Sequence, residues 1–272
     1  MLGNVRELRR VNDLNERMRT QEAQSFGPTL GEFYAQFQGL PGLRGLWYPG
    51  AAMGETGSLP DYSYSARTLT YRGNPTLNIY NSLVPYVAYD GTGDYHDRAS
   101  EAGLQISGTE TYVAAALRGI TVGAIFRTQG GNPTAGDGVL GKYLTTGNQR
   151  QYGLFFSAAT TLQFAISLDG TLANTVAANI AASAVGAWTF AVGRYTPSTE
   201  VMVYNNGTPA VNTTAVPASC FATGTDAFWL ARGITAGLEP QIDIAAAWLA
   251  AAVWPDTLID YLYNRARPLF GV

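Results

Sequence analysis

"AWTFAVGRYTPSTEVMVYNNGTP", residues 187–209, holds two apolar runs and the breaks that close them. "AWTFAVGRYT" and "EVMVYNNG" are short, rich in aromatic and β-branched residues, and bounded by Pro, Asn and Gly, as strands are. Asn206-Gly207 is a strong tight-hairpin signal, because the favoured two-residue turn needs positive φ at both central positions.

The same grammar extends in both directions. "ITVGAIFRT" (120–128) alternates Ile120, Val122, Ala124 and Phe126 against Thr121, Gly123, Ile125 and Arg127. "YVAYDG", "GVLGKYL", "QYGLFFS", "LQFAISLDG" and "AFWLARG" are further runs closed by turn residues, and Asp169-Gly170 gives a second hairpin signal. Toward the C-terminus, "QIDIAAAWLAAAVW" (241–254) suits a long central strand whose alanines leave room for close approach. "PDTLIDYLYNRARP" (255–268) reads as a short surface helix: Pro255 and Asp256 start it, Leu258, Ile259, Leu262 and Tyr263 make one face, and Pro268 ends it. Many short strands with no helical interludes specify an all-β chain, an antiparallel two-sheet jelly-roll sandwich.

Residues 1–25 stand apart. They are rich in charge, and Val5, Leu8, Val11, Leu14 and Met18 fall at spacings of three and four, which predicts an amphipathic helix. A lone helix of that length is marginal in water, so the stripe needs a partner, and it reads as an anchor or oligomerisation element. The chain therefore divides into the helix 1–25, an irregular arm with the first strands over 26–80, and the jelly-roll domain spanning 40–272.

Composition narrows the chemistry. Of 272 residues, 14% are charged and the net charge is −3, so nothing resembles the basic surface that nucleic acid requires. The one cysteine, Cys220, excludes an internal disulfide and paired-cysteine zinc sites, and reads as a small buried apolar residue. No apolar run reaches the roughly 18 residues that cross a bilayer, and the charged N-terminus does not have the pattern of a signal peptide. No membrane insertion is expected.

The order of the pieces resembles the laminin-G-like, concanavalin-A-like lectin family. Asp90, Gly91, Asp94 and Tyr95 match a strand-corner motif; Trp188, Phe190, Ala191 and Tyr195 a following strand; Val203, Tyr204, Asn206 and Gly207 its partner; Ile242 and Asp243 the closing strand. The resemblance covers about residues 40–266 and is specific for fold. That fold hosts lectins, enzymes, adhesion modules and virion proteins alike. The resemblance implies that "DGTGDY" (90–95) is mainly a structural corner. Its functional alternative is a rim calcium site at Asp90 and Asp94, calcium being the one candidate cofactor, although strand alternation would point neighbouring acids to different faces.

Catalysis by such a fold would be glycoside hydrolysis by two acids. No Glu-x-Asp-x-x-Glu or Glu-x-Asp-x-Glu spacing occurs, and Glu101, Glu110, Glu200 and Glu239 are each isolated. His96 reads as an inert residue of an exposed turn, and "TQGGNPTAGDG" (128–138) as a long loop with no phosphate-binding ending. The chain is read as a non-enzyme.

Binding is the better fit. The 16 tyrosines and 5 tryptophans exceed what ionic chemistry this chain can offer. Sugar rings stack on exposed aromatic faces, and the candidates in irregular sequence are Tyr62, Tyr64, Tyr71 and Tyr80, with the loop around Asn132. Two functional classes follow. One is a structural or interaction protein of a large assembly, a phage virion decoration or tail-associated protein with a lectin-like domain. Its partners would be other virion proteins, further copies of itself and a cell-surface glycan. The other is a free-standing carbohydrate-binding module, calcium-assisted or not. The first places the protein in a virion assembled in the host cytoplasm, the second outside the cell.

Overall fold

The computed structural model describes residues 29–49, 57–81, 83–131, 133–235 and 237–272. The predicted N-terminal helix, with Val5, Leu8, Val11, Leu14 and Met18, lies outside the described residues, as does Asn132. In chain order the strands begin with β1 (Leu43–Trp47), β2 (Thr70–Arg72), β3 (Thr76–Tyr80), β4 (Val84–Asp90), β5 (Tyr95–Arg98), β6 (Ile120–Thr128), β7 (Gly138–Leu144) and β8 (Gln149–Ala158). They continue with β9 (Thr161–Ser167), β10 (Thr175–Ala181), β11 (Thr189–Thr196), β12 (Glu200–Asn205), β13 (Thr208–Asn212), β14 (Phe228–Leu230) and β15 (Gln241–Ala250). Two helices flank them: α1 (Leu30–Ala35) and α2 (Asp256–Phe270).

The strands form two antiparallel sheets, as expected for a sandwich. One has eight strands, ordered β13-β12-β11-β6-β15-β4-β3 with β1 added beside β15. The other has seven, ordered β10-β9-β8-β7-β14-β5-β2. Between them lies the main core, built from alternate residues such as Val122, Ala124 and Phe126 of β6 against Leu154 and Phe156 of β8.

β15 is the spine of the eight-stranded sheet. β6 pairs along one side of it, while β4 and β1 divide the other, at Gln241–Ile244 and Ala247–Ala250 respectively. The β15–β6 register slips at Ala245. Ile242 and Ile244 face the other sheet, Ala245 and Ala246 both face away, and Ala247, Leu249 and Ala251 face inward again. This is what a bulge does: one extra residue resets the alternation of faces.

The outward face of this sheet carries a second core. Trp188, Phe190, Met202, Tyr204, Trp248 and Trp254 are covered by Phe33, Tyr34 and Phe37 of the α1 segment and by Ile259, Leu262, Ala266 and Phe270 of α2. The alanines of β15 permit the close approach anticipated, and the Tyr34 hydroxyl donates to the Ala245 carbonyl at 3.2 Å. α1, within the segment read as irregular, is fixed by a reciprocal capping box: Glu32 N–H donates to Thr29 Oγ1, and Thr29 N–H to the Glu32 carboxylate.

Three local expectations are corrected. Pro268 does not end α2, which runs to Phe270 and is capped by Gly271. Proline there removes a single N–H from the last turn, while Phe270 packs on Phe33 and Trp188 and holds the turn in place. Asp169-Gly170 is not a two-residue hairpin, because β9 ends at Ser167 and β10 starts at Thr175. The Asp169 carboxylate instead accepts from Thr171 N–H, Thr171 Oγ1 and Asn174 Nδ2, which organises a longer loop. His96 is not on an exposed turn but fully buried on β5. Asn206-Gly207 does form the two-residue hairpin, with φ +44° and +87°.

Candidate functional site

The "DGTGDY" corner joins β4 to β5. Gly91 and Gly93 take φ +81° and +77°, which only glycine adopts freely. The Asp90 carboxylate accepts from Thr92 N–H at 2.7 Å. Asp94 is buried, and its two oxygens accept from Asn74 N–H at 2.5 Å and from Asp90 N–H at 3.5 Å. Both acids are thus engaged with the backbone of the corner. Among the described residues, no group of three or more His, Cys, Asp or Glu side chains is placed to hold a metal ion. The donor set of this corner does not fit the six to eight oxygens that calcium takes.

Just past the corner, the Tyr89 hydroxyl donates to His96 Nδ1 at 2.9 Å, and His96 Nε2–H donates to the Gly57 carbonyl at 2.7 Å. Burial pushes the imidazole down to about 4 despite the Gly57 hydrogen bond and the nearby Asp97 and Asp94, so the ring is neutral. It ties two layers together and has no free nitrogen for proton transfer.

The candidate tyrosines fall into different environments. Tyr62 is half-buried and stacks on Tyr48, with ring centroids 4.0 Å apart; Tyr48 stacks in turn on Tyr34 at 3.6 Å. Tyr80 is half-buried edge-on to Trp188, and the Arg127 guanidinium lies over Tyr80, Tyr86 and Trp188 at 5.0–5.3 Å. Tyr71 sits on the edge strand β2 opposite His96, partly exposed. Tyr64 is different: it is 88% exposed.

The local sequence explains that exposure. The Asp61 carboxylate accepts from Leu46, Ser63 and Arg67 N–H groups at 2.7–2.9 Å. That closes residues 61–67 into a fixed loop with Tyr64 at its tip. Opposite stands Tyr112, 60% exposed, with Arg44 over its ring at 4.1 Å. Arg44 occupies the register slip of β1 against β15, and its Nε has no partner. Tyr64, Tyr112 and Arg44 line one cleft of about 370 Å³, with Pro41, Leu43 and Leu117 behind them. Sequence reasoning found Tyr64 and missed Tyr112 and Arg44, which lie on distant segments.

A second, more polar cleft of about 380 Å³ lies at the end of the sandwich. It brings Asp90 together with Gln129, Gly131, Pro133 and Thr134, the described neighbours of Asn132, and with Glu239 and Gln241. Asp137 at its wall accepts from Thr134 N–H at 2.7 Å and Thr134 Oγ1 at 3.0 Å. The acids here mostly hold their own loops.

Elsewhere the carboxylates face arginines. Glu101 receives Arg98 at 3.0 Å and Arg67 at 2.5 Å, Glu200 receives Arg194, and Asp243 receives Arg127 at 2.6 Å. None of the described helices is long and apolar enough to cross a membrane.

No protein-family model and no curated protein matches the chain. Solved structures do share its fold. The binding domain of botulinum neurotoxin DC, in complex with rat synaptotagmin II, superposes with a TM-score of 0.57 at 13% identity over 82% of this chain and 51% of that one. The binding domain of Paraclostridial Mosquitocidal Protein 1 gives 0.59 at 8% identity, over 82% and 52%. A Trypanosoma rangeli sialidase in complex with sialic acid gives 0.58 at 13% identity, over 84% and 33%. The chain therefore spans about half of the toxin domains and a third of the sialidase. At these identities the likeness is one of architecture, and the chain is a β-sandwich of the lectin-like kind.

Proposed function

We propose that this chain is a non-enzymatic binding module that holds a saccharide in the cleft between Tyr64 and Tyr112. The observation that carries the reading is the pairing of two exposed tyrosines across one cleft with a part-free arginine beside them. Aromatic faces take the C–H face of a sugar ring, and a guanidinium supplies directed donors for its oxygens. No carboxylate is among the residues lining this cleft, whereas glycoside hydrolysis needs two flanking the bond. Similar folds carry sugar-related titles, sialic acid on the sialidase and gangliosides on a botulinum neurotoxin type C, and these add weight to a saccharide.

The module is further proposed to serve a large assembly, as a virion decoration or tail-associated protein, with residues 1–25 as anchor or oligomerisation element. That part rests on the apolar stripe in the sequence.

Two experiments test the reading. A glycan array probed with the full chain, with and without a calcium chelator, should give a defined set of glycans that Tyr64→Ala and Tyr112→Ala each abolish. Retained binding in both folded variants would move the site elsewhere, and loss in chelator alone would restore calcium to the scheme. For the assembly role, light scattering on the full chain and on residues 29–272 should show an oligomer that becomes monomeric on truncation.

A further inference from the structure

A groove of about 310 Å³ runs over the outward face of the seven-stranded sheet, where β7, β8, β9 and β10 lie side by side. Its floor is Tyr143 and Phe155, with ring centroids 5.0 Å apart. The segment after β14 walls one side. It is pinned there, because Ile234 N–H donates to the Gly136 carbonyl and Thr145 N–H to the Ile234 carbonyl, at 2.9 and 2.8 Å. Ser157, Gln163 and Thr175 supply hydroxyl and amide groups at the rim.

Arg150 also lines this groove and is only 7% exposed. Its Nη1 donates to Asn148 Oδ1 and to the Gly170 carbonyl, both at 3.1 Å, and the Tyr143 phenol sits against it. Its Nε has no partner. Every ion pair among the described residues involves a different cation, so this guanidinium is buried among neutral groups alone. A buried charge without a counter-charge is costly, and such groups are ordinarily paired. Here the open side of the charge is a preformed groove.

We infer that the groove is a second binding site, distinct from the Tyr64–Tyr112 cleft, for a saccharide that carries a carboxylate. The carboxylate supplies Arg150 with its missing counter-charge in the planar geometry that a guanidinium fits. The ring's apolar face lies on the aromatic floor, and its hydroxyls meet the polar rim. Inorganic phosphate would satisfy the charge and leave the floor unused. The volume, at the low end for ligand sites, suits one or two sugar rings.

The test is calorimetric titration of the full chain with sodium D-glucuronate and with N-acetylneuraminate, using the methyl ester of each and glucose as neutral controls. At least one acid sugar should bind saturably, and esterification should weaken it roughly tenfold or more, the worth of a charge-assisted hydrogen bond. Arg150→Gln should produce a similar loss. Since Arg150 braces two loops, that variant can fail to fold. Ser157→Trp then decides, because it fills the rim and leaves Arg150 in place, and it too should remove binding. Tyr64→Ala should leave acid-sugar binding unchanged, which separates this site from the aromatic cleft. The inference is overturned if neither acid sugar binds at millimolar concentration, if acid and ester bind equally, or if folded Ser157→Trp binds as the parent does.

Discussion

Arg127 lies over the ring of Trp188 at 5.0 Å while its Nε donates to the fully buried carboxylate of Asp243 at 2.6 Å. One side chain on β6 thus joins the residue just before β11 to β15, and the Gln129 amide completes the Asp243 site from the end of β6. Removing the carboxylate would leave a cation among Tyr80, Tyr86 and Trp188 with no counter-charge. Asp243→Ala should lower unfolding free energy by about 3–5 kcal/mol in urea titration. Arg127→Met combined with Asp243→Leu should recover much of that loss. Additive losses would mean that the pair is not the unit of stability.

His96 gives the fold an acid-sensitive point. Burial depresses its folded pKa to about 4, against about 6.5 for an unfolded histidine. Between those values the unfolded chain binds a proton that the folded chain refuses, so stability falls as pH drops from 6.5 toward 4 and the loss saturates below. The full effect is on the order of 3 kcal/mol. Chemical denaturation from pH 7.5 to 4 should show it, and His96→Gln should flatten this part of the profile.

Tyr62 and Tyr64 are two positions apart and should behave oppositely. Tyr62→Ala breaks the stack on Tyr48 and should cost about 1–3 kcal/mol in thermal or urea unfolding. Tyr64→Ala removes an exposed ring and should stay within about 0.5 kcal/mol of the parent. A destabilised Tyr64 variant would mean that the ring has a structural partner.

Phe270 closes the second core from the last turn of α2, against Phe33 and Trp188. Phe270→Ala should cost about 3–5 kcal/mol, since a fully buried aromatic leaves a cavity. Tryptophan fluorescence should report it directly through Trp188. A loss below about 1 kcal/mol would mean that the helix end is frayed in solution.

The features legible in the sequence are those whose cause is local. The Asn206-Gly207 hairpin needs only two left-handed residues, and it formed between Asn205 and Thr208 as read. Asp169-Gly170 carries the same dipeptide signal, but the Asp169 carboxylate found three donors downstream and drew out a longer loop. α1 has six residues, too few to show a period, and its one readable sign was the Thr29–Glu32 capping box. Pro268 marked a helix end by rule, yet packing of Phe270 outweighed one lost backbone hydrogen bond.

The sites were less legible because they are assembled from distant segments. Tyr64 could be picked from its irregular surroundings, but Tyr112 and Arg44 reach it only through the fold. Arg150 looks like any strand arginine in sequence. Its lack of a counter-charge emerges only when every neighbouring side chain is in place.

The slip at Ala245 has a consequence for how this chain can vary in length. Three alanines in a row, Ala245 to Ala247, stand where the strand switches faces, so either face accepts any of them without a clash of volume. The residues beyond are not interchangeable: Trp248 must reach the helices and Leu249 the opposite sheet. Loss or gain of a single residue in this run would exchange their destinations, whereas a change of two would preserve them. The alanine run is thus the reading frame of the spine, forgiving in what it contains and strict in how many residues it counts.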